Sequence, residues 1–396
     1  MKILYISNHN PYKTDTGGNQ RGYLIFKSLC LLGDVDVLFI HSSKEPSIKD
    51  KNVKDCVLDE ESKKFYTKRF AQLTKLFRMD ASFIELPNKN SVLAFEEQIK
   101  NTNYDIIFFR YLKPYLECGM PMLSNMILDI DDLPWQNSKC MFRNKSYSIF
   151  KRLYHGYLYI RIKYHASYLF KKFIATLYVN KSDMRGVNSY YLPNIPCIKN
   201  TRTSTAITTT TTTMKDEYGI LFVGTLSHVP NYEGLNHFIE HIWPVILKNM
   251  PNANLYIVGK GIPIKIKVRW EKVSHVNLLG FVDSLDDVYN SYPIVISPIY
   301  SGAGTNIKVL EALYYKRICL ISQYSWRGFE NTLKDNIDLI VCKSDQEFID
   351  KLCMVLKNTK RYISIGEHGA NQILKYYSED TFAEELKKIV NIVRLN

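Results

Sequence analysis

The chain has 396 residues, 46% of them hydrophobic and 23% charged, with a formal net charge of +13. That length predicts two domains rather than one core. No apolar run reaches about 18 residues, which argues against a membrane-spanning helix, and the start MKILYISNHN reads as a strand rather than a secretory leader. The eight cysteines are scattered with no C-x-x-C pair, which argues against zinc and dithiol motifs and fits a reducing cytoplasm.

In the first half, apolar β-rich runs at 3–7, 35–40, 105–109, 126–130 and 173–179 predict strands, with helical patterns at 21–32 and 91–100 between them. This alternation is the signature of a parallel sheet with crossover helices. His9 lies just after the first strand. The loop DTGGNQR follows, from Asp15 to Arg21, and its Gly17 and Gly18 allow a ligand to approach the backbone closely. Arg110 follows a strand, and Asp129-Ile130-Asp131-Asp132 ends another, so these carboxylates are expected to face a cleft.

The positive charge is uneven. Residues 139–181 hold ten Lys or Arg and no Asp or Glu, interleaved with aromatics such as Phe150, Tyr157, Tyr164 and Tyr168. A second basic stretch, 63–78 (KKFYTKRFAQLTKLFR), has helical spacing with Phe65, Phe70, Leu73 and Leu76 towards one side. Basic amphipathic segments of this kind are expected on an anionic membrane surface. No nucleic-acid-binding module accompanies the charge, so no nucleic-acid partner is expected.

Residues 200–216 open with NTRTSTAITTTTTTM, a threonine-rich tract without apolar periodicity, and read as a linker. The alternation then restarts. Strands are predicted at 220–223, 254–258, 276–279, 294–297, 318–321 and 339–341, and helices at 232–248, 285–291, 306–315, 346–356 and 378–393. Domains are therefore expected at 1–199 and 217–377, with a last helix in 378–396 crossing back to the first. The predicted fold is α/β, two doubly wound Rossmann-like domains facing across a cleft, with ligands at the carboxyl ends of strands.

The stretch SPIYSGAGTNIKVLEALYYKRICLIS reads strand, glycine loop, helix, strand. Ser301-Gly302-Ala303-Gly304, with Thr305, should open a helix carrying Lys308 and Glu311. Free N–H groups at a helix start favour an anion, so a phosphate is the expected occupant. Lys308 adds a mobile positive charge, and Glu311 can accept hydrogen bonds from sugar hydroxyls. A lone glycine loop often marks only a tight turn. Gly224, the turn Gly259-Lys260-Gly261 and the turn Gly280-Phe281 strengthen the reading of a nucleotide-sugar site.

The run GILFVGTLSHVPNYEGLNHFIEHIWPVILKNMPNANLYIVGKG, followed by NLLGFVDSLDDVYNSYPIVISPIYSGAGTNIKVLEALYYKRICLIS, resembles the donor domain of a GT-B glycosyltransferase of family 4, in a subgroup carrying GAG-x3-KVLEA. The first half is similar more loosely, through NPYKTDTGGNQRGYLIFKSL and MILDIDDL. The resemblance implies a retaining, metal-independent transferase that moves a sugar from a UDP- or GDP-sugar to a glycan or lipid-linked glycan, in polysaccharide or glycoconjugate synthesis. No cofactor is implied beyond the nucleotide-sugar substrate. The basic stretches add a place on the cytoplasmic face of the cell membrane.

By the same resemblance Glu311 binds the ribose, Val282 lies beside the nucleobase, and Gly224, Gly302, Ala303, Gly304 and Thr305 line the donor. Lys308 supports the departing diphosphate, with Gly17, Gly18 and Arg21 as a diphosphate or acceptor loop. Asp131 falls where relatives place a catalytic His or Asp. A carboxylate there can take the acceptor's proton or stabilise an oxocarbenium-like centre. Ser301 stands where relatives carry a first glutamate. That departure keeps two other readings open: a non-catalytic nucleotide-sugar-binding or scaffolding partner, and a GT-B sugar epimerase.

Overall fold

Strand Lys2–Ser7 (β1) is almost wholly apolar and buried, and it lies inside a sheet. With it pair Asp34–His41 (β2), Val53–Val57 (β3), Ile106–Arg110 (β4), Met126–Ile130 (β5), Ala175–Tyr178 (β6) and Ser189–Tyr191 (β7). The seven strands run parallel in the order β3-β2-β1-β4-β5-β6-β7. The central strands read as unbroken apolar runs because both of their faces are covered. The order reverses direction between β1 and β4, which opens the sheet's crevice at their carboxyl ends. There Ser7 is in register with Arg110, and Arg110 with Asp129.

The structure is a computed structural model and describes residues 1–43, 45–59, 80–143, 147–197, 214–282, 284–302 and 305–395. It divides into two units, Met1–Cys197 with Glu379–Asn396, and Ile198–Ser378. The basic stretch 63–78 and most of the threonine-rich tract lie outside the described residues, as do Ala303 and Gly304 of the glycine loop and Asp283.

The second unit repeats the architecture. Gly219–Val223 (β8), Asn254–Val258 (β9), Val276–Gly280 (β10), Ile294–Ser297 (β11), Ile318–Ser322 (β12) and Ile340–Cys342 (β13) form a parallel sheet in the order β10-β9-β8-β11-β12-β13. Its crevice therefore opens at the carboxyl ends of β8 and β11. The last helix, Glu379–Leu395, packs on helix Gly17–Cys30 of the first unit. Phe382, Leu386 and Val390 are buried there, and Lys27 pairs with Glu379 at 2.6 Å.

Several boundaries differ from the sequence reading, each for a local reason. The first helix begins at Gly17, not at 21, because Thr16 caps it by accepting from the Asn19 amide. The expected helix 232–248 spans Val229–His237 and Trp243–Asn249, joined by a π turn at Phe238–Ile242. Pro244 lacks the amide that would continue the ordinary ladder. The helix after the glycine loop starts at Ile307, with Asn306 before it, so the loop itself is not the helix start.

Gly234 lies in helix Val229–His237, where glycine ordinarily costs about 1 kcal/mol relative to alanine. Here a Cβ would sit 2.1 Å from the Pro298 carbonyl oxygen, so the helix rests directly on the chain leaving β11. Gly234→Ala is therefore expected to reverse the usual sign and destabilise the protein by about 2–4 kcal/mol in denaturant unfolding.

Candidate functional site

In the second unit the sequence-predicted residues gather at the β8–β11 crevice. Gly224 follows β8, and a Cβ there would meet Asn231 Nδ2 at 3.1 Å and Lys308 Cε at 3.2 Å. Lys308 lies in the first turn of helix Ile307–Tyr314 and reaches back under that glycine. Its ammonium donates to Asn231 Oδ1 at 2.8 Å and lies 5.7 Å from the centre of the Phe222 ring. Asn231 is held in turn by donating to the Thr225 carbonyl at 2.9 Å. No carboxylate among the described residues forms an ion pair with Lys308. Burial lowers its pKa to about 8, with Glu311 pulling weakly the other way.

Glu311 sits one turn further along and accepts from Tyr289 Oη at 3.3 Å. The Tyr289 ring stacks on Tyr315 at 4.9 Å, which fixes the donor. Gly302 has φ +116°, a conformation that side chains rarely adopt, and its open side faces Pro230. The Tyr324 hydroxyl bonds the Gly302 carbonyl. Beneath the loop, Ser297 and Ser325 hydroxyls lie 3.1 Å apart, Ser325 Oγ donates to the Ser297 carbonyl at 2.8 Å, and Ser322 Oγ donates to the Ile299 carbonyl. Three buried serines thus anchor the start of the segment that carries the glycines, and at its far end Asn306 Nδ2 donates to the Ser325 carbonyl at 3.5 Å. Thr305 Oγ1 is buried without a hydrogen-bond partner among the described residues. Val282 lies just past β10, half-buried, beside an exposed Phe281.

In the first unit the residues at the β1–β4 crevice form a closed ionic network. Asp129, wholly buried at the end of β5, takes two arginines. Arg21 Nη2 lies 2.5 Å from Oδ1, and Arg110 Nη1 lies 2.8 Å from Oδ2. Arg21 also donates to the Pro193 carbonyl at 3.0 Å and to Asn194 Oδ1 at 3.1 Å. Arg21, expected in a diphosphate or acceptor loop, has its guanidinium 1% exposed and turned inward onto Asp129.

Asp131 Oδ2 accepts from Arg110 Nη2 at 3.2 Å and from Tyr111 Oη at 3.1 Å, while Oδ1 accepts from Asn194 Nδ2 at 2.8 Å. Burial pushes its pKa up, but Arg110 and Arg21 outweigh this and hold the carboxyl below its usual value. Asp131 is consequently a fixed negative charge and a weak proton acceptor, suited to steadying a developing positive centre. Tyr111 has φ +76° and ψ 158°, a region that essentially only glycine occupies without strain. The conformation places its ring 3.6 Å from the Arg110 guanidinium and its hydroxyl on Asp131. Burial raises the Tyr111 pKa, so the hydroxyl stays a donor.

Gly18 completes this corner. A Cβ there would lie 3.1 Å from His9 Nε2 and 3.3 Å from Tyr111 Oη. Gly17 beside it is exposed at the helix start. Burial, then Arg110, push His9 down to about 4, so its imidazole is neutral at pH 7. Sequence reasoning placed His9, Arg110 and Asp129 at strand ends and missed Tyr111, Asn194, Asn231 and the three serines. Only the position of Tyr111, directly after Arg110 at a strand end, signalled any of these.

Comparison with known proteins follows the same lines. Residues 217–358 match the family model Glycosyl transferases group 1. A Klebsiella pneumoniae protein named "Uncharacterized 44.6 kDa protein in cps region" is 23% identical over 339 residues, 79% of this chain and 80% of that protein. Sucrose-phosphate synthase from Thermosynechococcus elongatus superposes with a TM-score of 0.71 at 13% identity, covering 99% of this chain and 98% of that one. HepE from Anabaena in complex with UDP-glucose gives 0.64 at 10% identity, covering 99% and 100%. The fold is GT-B, built from two Rossmann-like α/β domains.

The shared anion at Asp129 can be tested directly. Asp129→Asn leaves two buried guanidinium groups short of a counter-charge, and is expected to cost about 3–5 kcal/mol of stability. Tyr111→Phe keeps the ring on Arg110 and should cost about 1 kcal/mol. Thermal unfolding of both variants measures the difference.

Proposed function

We propose that this protein is a retaining, metal-independent glycosyltransferase of family 4, using a UDP- or GDP-sugar and a glycan or lipid-linked glycan acceptor. The observation that carries the reading is Lys308: a desolvated ammonium beside Gly224 and a helix start, held by a neutral amide and, among the described residues, by no carboxylate. Such a cation is an unfilled half of an ion pair, and a diphosphate is the chemistry that completes it. Glu311, one turn away, takes the ribose hydroxyls. In the first domain Asp131 supplies fixed negative charge for the oxocarbenium-like sugar. The bond from the sugar's anomeric carbon to the diphosphate breaks, the acceptor oxygen bonds that carbon, and its proton leaves on the departing diphosphate. UDP-glucose bound in HepE favours UDP as the nucleotide. The name of the Klebsiella protein, which places it in a cps region, favours polysaccharide synthesis. We place the enzyme peripherally on the cytoplasmic face of the cell membrane.

Ser301, standing where a sugar-contacting glutamate is expected, favours a second reading: a partner that binds nucleotide sugar without transferring it. The two separate in a single experiment. Thermal midpoints are measured without metal against UDP, GDP and their sugars, followed by transfer assays on lipid-linked glycan. A shift with transfer supports the enzyme; a shift without transfer to any glycan supports the partner; no shift at millimolar nucleotide overturns both.

Two further outcomes follow from Lys308. Glu311→Ala should weaken nucleotide binding about tenfold. Lys308→Met should abolish the UDP-induced shift while raising the unliganded midpoint, since about 3 kcal/mol of charge desolvation disappears. The pH dependence has a fixed sign. Below pH 8 Lys308 is charged and ready for an anion; as pH rises through about 8 the free protein loses that proton, so UDP affinity should fall. Calorimetry near pH 8 in buffers of different ionisation heat should register proton uptake on binding.

A further inference from the structure

Helix Ile149–Phe170 has 22 residues and is apolar on both sides. Its inner side is buried at Gly156, Ala166, Leu169 and Phe170, the last three within the first unit's core. Its outer side carries Phe150 at 81% exposure, Leu153 at 59%, Ile160 at 66%, Tyr164 at 71% and Tyr168 at 60%. With Tyr157, 46% exposed between Leu153 and Ile160, spacings of three and four residues put these on one stripe, about 27 Å long at the helical rise. A helix covering a core in water keeps polar residues on its outer side. This one does the opposite, so its outer face needs cover.

The charge around the stripe says which cover fits. Residues 139–181 contain ten cationic side chains and no acidic one. Lys151 lies 3.8 Å over the Tyr147 ring and Lys172 lies 5.2 Å over Tyr168, so ammonium groups flank the aromatics. Amphipathic aromatics beside lysines suit the boundary between acyl chains and headgroups. A second copy fits poorly, because a two-fold interface sets the same patch against itself and would oppose cation to cation. The neighbouring helix Gln136–Arg143 braces the surface: the Phe142 ring lies 2.9 Å from where a Gly156 Cβ would be.

We propose that the outer face of Ile149–Phe170 is a membrane-binding face that lies flat in the headgroup layer of an anionic bilayer. It deepens the reading above by naming the surface that brings a lipid-linked acceptor to the first domain, and rests on that reading only for the acceptor. Aromatic and aliphatic side chains enter the acyl boundary, while the basic side chains remain among anionic headgroups.

The test is co-sedimentation of the full chain with phosphatidylcholine vesicles, with and without phosphatidylserine, for wild type and for the combined variant Phe150→Ser, Ile160→Ser, Tyr164→Ser. These positions are exposed, so the fold should be kept, and an unchanged thermal midpoint and UDP shift verify it. Wild type should prefer the anionic vesicles, release as salt rises, and lose at least about tenfold in partition in the variant. Equal binding to both vesicle types, or a variant that binds as wild type does, overturns the proposal. So does a dimer in light scattering that the variant dissolves, since the face would then belong to a second copy. A failed UDP shift with intact vesicle binding would count against the donor reading alone.

Discussion

One carboxylate organises the first domain. Asp129 ends β5 fully buried and is held by Arg21 from helix Gly17–Cys30 and by Arg110 from β4. The bonds from Arg21 to Pro193 and Asn194 extend the same node to the residues just before the chain leaves the first domain at Cys197. Two cations and two anions, Asp131 being the second, cancel within a space that water scarcely enters. Such a cluster is tolerable only while every member is present. Its geometry then dictates neighbouring choices: glycine at 18, and a tyrosine at 111 in a backbone conformation that it would not adopt alone.

The second domain uses charge in the contrary way. Its ammonium at Lys308 is placed with equal care, by Asn231, Gly224 and Phe222, yet pairs with no carboxylate among the described residues. The first arrangement spends its electrostatics on holding a shape. The second rests its buried ammonium on a neutral amide. Buried serines, rather than charges, fix the loop beside it, so the positive potential there is not diluted.

The sequence carried most of the sheets, because strands covered on both faces are written as apolar runs. The edge strands β3 and β7 were not legible: VKDCV and SYY are short and mixed in polarity. Helix Ile149–Phe170 escaped assignment for the reverse reason, being apolar on its outer as well as its inner side and so without a clear periodicity. Of the site, glycines and Lys308 stood out because chemistry and spacing are local. The Arg21–Asp129 pair did not, since it joins residues 108 apart through strand register. Thus Asp129 read only as one of the carboxylates at a strand end, and nothing local tied it to Arg21. Asn231, a commonplace residue early in a helix, offered no signal.

The course of the chain has a consequence for its synthesis. The first domain includes Glu379–Asn396, yet Ile198–Ser378 is translated in between. Helix Gly17–Cys30 leaves the ribosome early and waits for Phe382, Leu386 and Val390 to cover it. At about 5–20 residues per second the intervening 181 residues (378 − 198 + 1) take roughly 10–40 seconds. For that interval an apolar helix face is open to chaperones or to neighbouring nascent chains, while the second domain, contiguous in sequence, can close its own core as it emerges.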